Sequence, residues 1–203
     1  MLTAVLLLTG CVSNVAATLT FGECAKPQLK ENFSRDLYVG RWYEQSRDSG
    51  LPLEWGQSCG TETYYKRSDG NIQVRFNSYP YTTKWPKIAL DQPVVCNYAA
   101  GTCYQDAFHD PPQAEGKAPN YNLVDTDYSS YAIVYSCWQL SKSIKYELLW
   151  LMSREPEITE EEYDKIYQIA KDRLPGDLLK SQVKVYQSKD KCEYAPTGDM
   201  YLV

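Results

Sequence analysis

Short segments in which apolar and polar residues alternate recur along the middle of the chain, roughly every dozen residues between Gly40 and Met152. One of them is NIQVRFNSY, residues 71–79, whose apolar side chains all fall on one face of an extended strand. It follows Asp69-Gly70, a pair that favours a tight hairpin turn. Such regular spacing is typical of antiparallel meanders and barrels, so the sequence predicts an all-β core.

The segment YELLWLMSR, residues 146–154, is apolar on both faces of a strand. Leu149 and Leu151 share one face, and Trp150 and Met152 share the other. A strand that is apolar on both sides must be covered on both sides. We therefore expect one face to point into an interior and the other to lie under a second element.

That second element follows directly in the sequence. Residues 157–171 have the pattern of an amphipathic helix, with Thr159 as N-cap and Glu162 three residues later, the spacing of a capping box. Its apolar stripe is formed by Tyr163, Ile166, Tyr167 and Ala170. We expect this helix to pack outside the preceding strand, with one more strand, SQVKVYQS, after it.

The first residues predict a cleaved secretory leader. Residues 1–17 carry no charge and combine an apolar run with Val15-Ala16-Ala17, which fits a signal-peptidase site. The expected mature chain is then one domain, residues 18–203, in the extracellular space. An alternative is LTGC, which ends at Cys11 and has the form of a bacterial lipoprotein signal that would leave this cysteine lipidated.

Cysteine usage agrees with export. The chain has seven cysteines, and removal of the leader with Cys11 leaves an even set of six. Six cysteines allow fifteen pairings, so spacing alone does not fix the connectivity. Cys96 and Cys103 flank a turn-like segment and are expected to pair locally. There is no Cys-x-x-Cys motif and only one histidine, His109, so the sequence predicts no metal site.

Composition narrows the range of partners. A net charge of −5 without any basic run argues against nucleic acid. The chain has 18 Tyr and 5 Trp against 4 Phe, a balance that suits walls meeting both a ligand and water. Asn32-Phe33-Ser34 is a sequon, which makes Asn32 a candidate glycosylation site; the alternative is a chance tripeptide.

Three regions together resemble the lipocalin family, and within it the apolipoprotein D-like, bilin-binding and carotenoid-binding branches. They are ENFSRDLYVGRWYE, LVDTDYSSYAIVYSC and WLMSREPEIT. The resemblance implies an all-β fold with one flanking α-helix: an eight-stranded, up-and-down antiparallel β-barrel, wide enough for one small ligand. It also implies two disulfides, Cys24–Cys137 and Cys59–Cys192, which leaves Cys96–Cys103 as the third.

The resemblance assigns Gly40, Trp42 and Arg154 to closure of the barrel. A barrel that holds a ligand must be sealed at one end, and the Trp42 ring is large enough to seal it. Arg154 is in phase with Trp150 and Met152, so its guanidinium can stack on the indole from above. Gly40 gives the entering chain room. We expect these residues to be structural.

Alternation and resemblance together select four candidates for the ligand pocket, Tyr64, Tyr121, Trp150 and Met152. The alternative is that these side chains only pack the core. The loop between the first two strands carries Leu51, Leu53 and Trp55, which form either a lid or membrane-touching tip, or an ordinary solvated loop. Membrane contact is expected only at this mouth. Near the rim the chain also places Tyr79, Tyr81 and Trp85.

The sequence thus predicts a secreted carrier without a cofactor. Its expected partner is a small hydrophobic ligand such as a bilin, carotenoid, retinoid, sterol or fatty acid. One alternative is an interaction protein that docks a receptor or a second copy of itself. A thiol-dependent isomerase is the other, but every mature cysteine has a plausible partner, and no nucleophile motif accompanies His109. We therefore expect no catalysis.

Overall fold

The computed structural model describes residues 19–50, 54–80, 87–106 and 108–197. The predicted leader, residues 1–17, lies outside the described residues. The strands are β1 (Leu19–Phe21), β2 (Gly40–Asp48), β3 (Gln57–Lys66), β4 (Ile72–Pro80), β5 (Ile88–Asn97), β6 (Thr102–Gln105), β7 (Tyr121–Thr126), β8 (Tyr131–Gln139), β9 (Ile144–Ser153) and β10 (Gln182–Lys184). The helices are α1 (Arg35–Tyr38) and α2 (Glu160–Arg173), with a 3₁₀ turn at Leu178–Ser181.

Strands β2 to β9 form the predicted eight-stranded antiparallel barrel. Each pairs with its neighbour in sequence, and β9 returns to pair with β2 and close the sheet. Two short strands extend the barrel sheet. Strand β1, which the sequence did not suggest, pairs with β9, and β10, which lies within the predicted last strand, pairs with β2. Closure leaves no free barrel edge, so backbone groups of all eight strands find partners within the sheet.

The two faces of β9 separate the core into two clusters, as predicted. Trp150 and Met152 belong to the inner cluster, together with Trp42. Leu149 and Leu151 belong to the outer cluster, which α2 covers. Helix α2 begins at Glu160, and Thr159 forms the predicted capping box with Glu162. The helix therefore lies outside the barrel and leaves the interior free.

The described part of the chain contains three disulfides, of which two tie the ends of the chain to the barrel and one joins β5 to β6. They are Cys24–Cys137, Cys59–Cys192 and Cys96–Cys103, the same pairs that the resemblance and the local spacing indicated. The first two close long segments, with sequence separations of 113 and 133 residues. They hold the segments before β2 and after β10 against the barrel wall.

Candidate functional site

One end of the barrel is closed by Tyr38, Trp42 and Arg154, which we call the closed end. Trp42 is fully buried, and its indole Nε1 donates to the Tyr38 carbonyl oxygen at 2.9 Å. The Arg154 guanidinium lies over the indole, 3.6 Å from the ring centroid to Cζ. Its nitrogens donate to the carbonyl oxygens of Tyr128, Arg41, Leu37, Tyr38 and Val39 at 2.9 to 3.2 Å. The guanidinium thus links its own segment after β9 to residues 37–41 and to Tyr128 across the closed end.

Gly40 starts the first barrel strand with a φ of 108°. This region of backbone conformation is open to glycine and strained for residues with a Cβ. Gly40 pairs with Tyr64 across the sheet, and both are buried. Gly40 therefore lets the chain turn sharply into β2, and Trp42, two residues later, points its indole into the interior.

Above the closed end the barrel holds a cavity of about 350 Å³. Its walls are mainly aromatic and apolar, with a few polar side chains. The lining residues are Glu54, Glu62, Val74, Phe76, Leu90, Gln92, Tyr104, Gln105, Asp106, Phe108, Asn120, Tyr121, Trp138, Tyr146, Leu148 and Trp150. A volume in this range and a lining of this kind are typical of sites for one small molecule.

Two of the four predicted pocket residues, Tyr121 and Trp150, line this cavity. Tyr64 and Met152 do not; both are fully buried in the inner cluster. The difference is one of depth, because Tyr64 lies opposite Gly40 at the start of β2, and Met152 lies two residues nearer the closed end than Trp150. Both side chains fill the space beneath the cavity instead of facing it.

Tyr64 still contacts the cavity wall through its hydroxyl. This hydroxyl donates to Oε2 of Glu62 and lies within hydrogen-bond distance of the Tyr121 hydroxyl. Burial raises the pKa of the Glu62 carboxyl to about 8, and the neighbouring Glu44 adds to the effect. Burial also raises the phenol pKa of Tyr64 and Tyr121, so both hydroxyls remain protonated at neutral pH.

A buried ionic cluster that the sequence did not reveal lies beside the cavity. The Arg47 guanidinium contacts Glu44 Oε2 at 2.9 Å through Nη1 and Glu54 Oε2 at 2.7 Å through Nε. Its Nη2 donates to the carbonyl oxygens of Glu54 and Gln57 at 2.7 and 3.0 Å. Burial raises the pKa of both carboxyls, and for Glu54 the charge of Glu44 adds to this effect.

The other end of the barrel is the mouth. Trp55 is half-exposed there, and its Nε1 donates to the Ser49 carbonyl oxygen. Phe108 is 90% exposed while still lining the cavity. The remaining loop residues considered above, Leu51, Leu53, Tyr81 and Trp85, lie outside the described residues, whereas Tyr79 is partly buried at the end of β4.

His109, the single histidine, lies in a turn near the mouth. Its Nδ1 is 3.1 Å from Oδ1 of Asp106. The Asp106 carboxylate also accepts from the backbone N–H groups of Gln113 and Phe108, which lower its pKa to about 2. This carboxylate therefore holds the turn together, an arrangement common for Asp in loops.

The cysteines in the described part of the chain are all bonded in disulfides, so none offers a thiol to the cavity. Within the same residues no group of three His, Cys, Asp or Glu side chains is placed to hold a metal ion. A search of the described helices finds none long and apolar enough to cross a membrane.

Comparison with known proteins identifies the family. Residues 39–190 match the model of the "Lipocalin / cytosolic fatty-acid binding protein family". Apolipoprotein D of Rattus norvegicus is 29% identical over 143 residues, which cover 66% of this chain and 68% of the relative. The Lazarillo protein of Schistocerca americana is 29% identical over 139 residues, covering 64% of this chain and 60% of the relative.

Solved structures agree on the architecture. Insecticyanin from the tobacco hornworm Manduca sexta superposes with a TM-score of 0.66 at 16% identity, covering 87% of this chain and 93% of that one. Lobster apocrustacyanin A1 superposes with a TM-score of 0.62 at 18% identity, covering 85% and 93%. These likenesses concern the fold. The match over residues 39–190 establishes that the chain belongs to the lipocalin family.

Proposed function

We propose that the protein is a secreted carrier that holds one small hydrophobic molecule inside the barrel. The observation that carries this proposal is the cavity of about 350 Å³, closed at one end by Trp42 and lined by aromatic and apolar side chains. Tyr121 and Trp150 are the predicted ligand residues that face it. Tyr64 and Met152 support its floor.

Export is part of the same proposal. Three disulfides in a chain of this size suit an oxidising compartment. Cleavage after Ala17 would give an N-terminus at Thr18, and N-terminal sequencing of protein recovered from the medium tests this. Retention of a lipidated Cys11 would contradict it. Asn32 is exposed, so its sequon is open to a glycan, which a mass shift on deglycosylation detects.

A fluorescence titration tests the carrier function directly. Trp138 and Trp150 line the cavity, so a ligand that enters it should change intrinsic tryptophan emission. The panel is a bilin, a carotenoid, a retinoid, a sterol and a fatty acid. Saturable quenching by one ligand class supports the proposal, whereas no response to any of them contradicts it.

A docking role is the second candidate, favoured by the exposed aromatic rings of Trp55 and Phe108 at the mouth. Such rings suit contact with a receptor or a second copy of the chain. Light scattering distinguishes the two functions. Self-association without any ligand response would favour docking, and a monomer that responds to a ligand would favour transport.

A further inference from the structure

Carboxyl groups outnumber cations in the buried ionic cluster and on the cavity wall beside it. Arg47 is the cation of the buried ionic cluster, and two carboxylates, those of Glu44 and Glu54, share it. All three nitrogens of its guanidinium already contact a carboxylate or a backbone carbonyl. Buried charges are stable when each one is paired and hydrogen-bonded. With a single guanidinium, both carboxyls can be ionised together only when a second cation is present; otherwise one of them retains a proton, as the raised pKa of both indicates.

Glu62 is a third buried carboxyl group beside this cluster, and its raised pKa keeps it protonated at neutral pH when no cation is near. It is 6% exposed, lines the cavity with Glu54, and has no ion-pair partner among the described residues. No Lys, Arg or His occurs among the described residues that line the cavity. We call Glu54 and Glu62 the acidic wall. A ligand that enters the cavity meets carboxyl groups there and no positive charge.

The opposite walls suit a cation that carries an apolar group. Tyr121, Trp138, Tyr146 and Trp150 present aromatic rings to the same cavity. Aromatic faces attract ammonium groups and also bury hydrocarbon. The indole Nε1 of Trp150, which is 7% exposed, has no close hydrogen-bond partner among the described residues and faces Glu54, where it favours the ionised form of that carboxyl.

We propose that the cavity binds a lipophilic amine, with the ammonium group at the acidic wall and the hydrocarbon among the aromatic rings. This inference rests on the proposed carrier function and narrows its ligand class. Fatty acids and other carboxylates would add a negative charge beside Glu54 and Glu62. A metal ion does not fit the same position, because the described residues offer no cluster of three acidic, His or Cys side chains placed to ligate one.

Proton release should accompany binding. Burial raises the pKa of Glu62 to about 8, so the empty barrel holds a proton there at neutral pH. The groups that face Glu62 are the carboxyls of Glu44 and Glu54 and the hydroxyls of Tyr64, Tyr121 and Tyr38. Glu54 and Arg47 complete the cluster around Glu44. An ammonium group replaces the proton, so amine affinity should increase from pH 6 to pH 8.

The test compares decylamine, decanol and decanoate, which share one alkyl chain and differ in charge. Isothermal titration of the full mature protein at pH 8 should give a dissociation constant for decylamine at least about tenfold below that for decanoate. Repeating the titration in two buffers of different ionisation heat should reveal the released proton. Decanoate binding as tightly as decylamine would overturn the inference.

Variants assign the effect to the acidic wall. Glu62→Gln and Glu54→Gln should each weaken decylamine binding about tenfold and leave decanol binding unchanged. Glu161→Gln, which removes an exposed carboxylate on α2, is the matched control and should change neither. Thermal unfolding verifies that each variant is folded. Unchanged decylamine affinity in both acidic-wall variants would also overturn the inference.

The outcomes separate the two proposals. If decanol and decanoate bind and decylamine has no advantage, the carrier function stands and the amine inference fails. If none of the three probes binds, and no ligand of the fluorescence titration changes the tryptophan emission, both the carrier function and the amine inference are wrong.

Discussion

Trp42 and Glu62 are cross-strand partners, paired between β2 and β3. Trp42 closes the barrel, whereas Glu62 forms part of the acidic wall of the cavity. The closed end and the cavity wall therefore meet at one pair of facing residues in the sheet. A change at either residue should alter stability, and only changes in the acidic wall should alter the charge preference of the ligand site.

Trp42→Ala should destabilise the fold by about 3–5 kcal/mol, because it leaves a large void in a closely packed interior. The substitution also removes the stacking of the Arg154 guanidinium on the indole and the hydrogen bond from the indole to the Tyr38 carbonyl oxygen. Urea unfolding measures the change. Trp55→Ala, at a half-exposed ring, is the control and should change the free energy of unfolding little. Weakened ligand binding with unchanged stability would show that Trp42 is not a seal.

Arg154→Lys should also lower stability, by about 1–3 kcal/mol, although it keeps the charge. A lysine ammonium cannot stack flat on the indole and also reach the carbonyl oxygens of both residues 37–41 and Tyr128. Arg35→Lys, at a single-contact ion pair with the exposed Asp36, is the matched control and should be nearly neutral. Equal melting temperatures for the two variants would contradict the bridging role of Arg154.

The sequence predicted the barrel and its closed end because each rests on a local pattern. Alternation places Trp150 inside and Leu151 outside, and a capping box starts α2. Alternation gives the face of a residue and not its depth, which is why Met152 was expected at the pocket but lies beneath it. Glu62 could have been found, since it is in phase with Tyr64, but a carboxylate in a strand is ordinarily assigned to the solvent face.

The ionic cluster was harder to predict, for a physical reason. A register shift between Glu44 and Ser46 alters the phase of β2, so Arg47 reaches the interior out of step with Trp42. The position of such a bulge depends on how two strands pair, so it cannot be predicted from the sequence of one strand alone. Glu54 follows a loop, where no periodicity constrains the direction of a side chain.

Glu62→Gln should change how stability depends on pH. The Glu62 pKa is raised from 4.5 to about 8, so the folded protein holds a proton that the unfolded chain releases within this range. The contribution of Glu62 is fully present below pH 4.5 and is lost as the pH rises through 8. The variant should therefore lose less stability than the wild type between pH 5 and 8. Parallel melting-temperature profiles for the two proteins would contradict the raised pKa.

The disulfides should contribute unequally. Cys24–Cys137 spans 113 residues, whereas Cys96–Cys103 spans 7. A cross-link that closes a longer loop restricts the unfolded chain more, so replacing the first pair by alanine should cost about 2–3 kcal/mol more than replacing the second. Guanidinium unfolding of the two double variants measures the difference. A larger loss from the short pair would indicate that strand pairing of β5 and β6 depends on that bridge.

Gly60→Ala tests whether the ionic cluster is as tightly held as its geometry indicates. A Cβ at Gly60 would lie 2.2 Å from Glu44 Oε2, and this carboxylate cannot move away without breaking its contact with Arg47. The variant should lose about 1–3 kcal/mol, the usual range for an overpacked interior. Gly176→Ala, where nothing lies within 4 Å of the added atom, is the control and should be nearly neutral.

A double-mutant cycle then assigns the loss to this contact. In a Glu44→Ala background the added methyl meets no carboxylate, so Gly60→Ala should cost much less there than in the wild type. The coupling free energy from urea unfolding of the four proteins measures the difference. Additive losses would mean that Gly60 is required for the bend of β3 near its register shift between Ser58 and Thr61, and not for the space that Glu44 occupies.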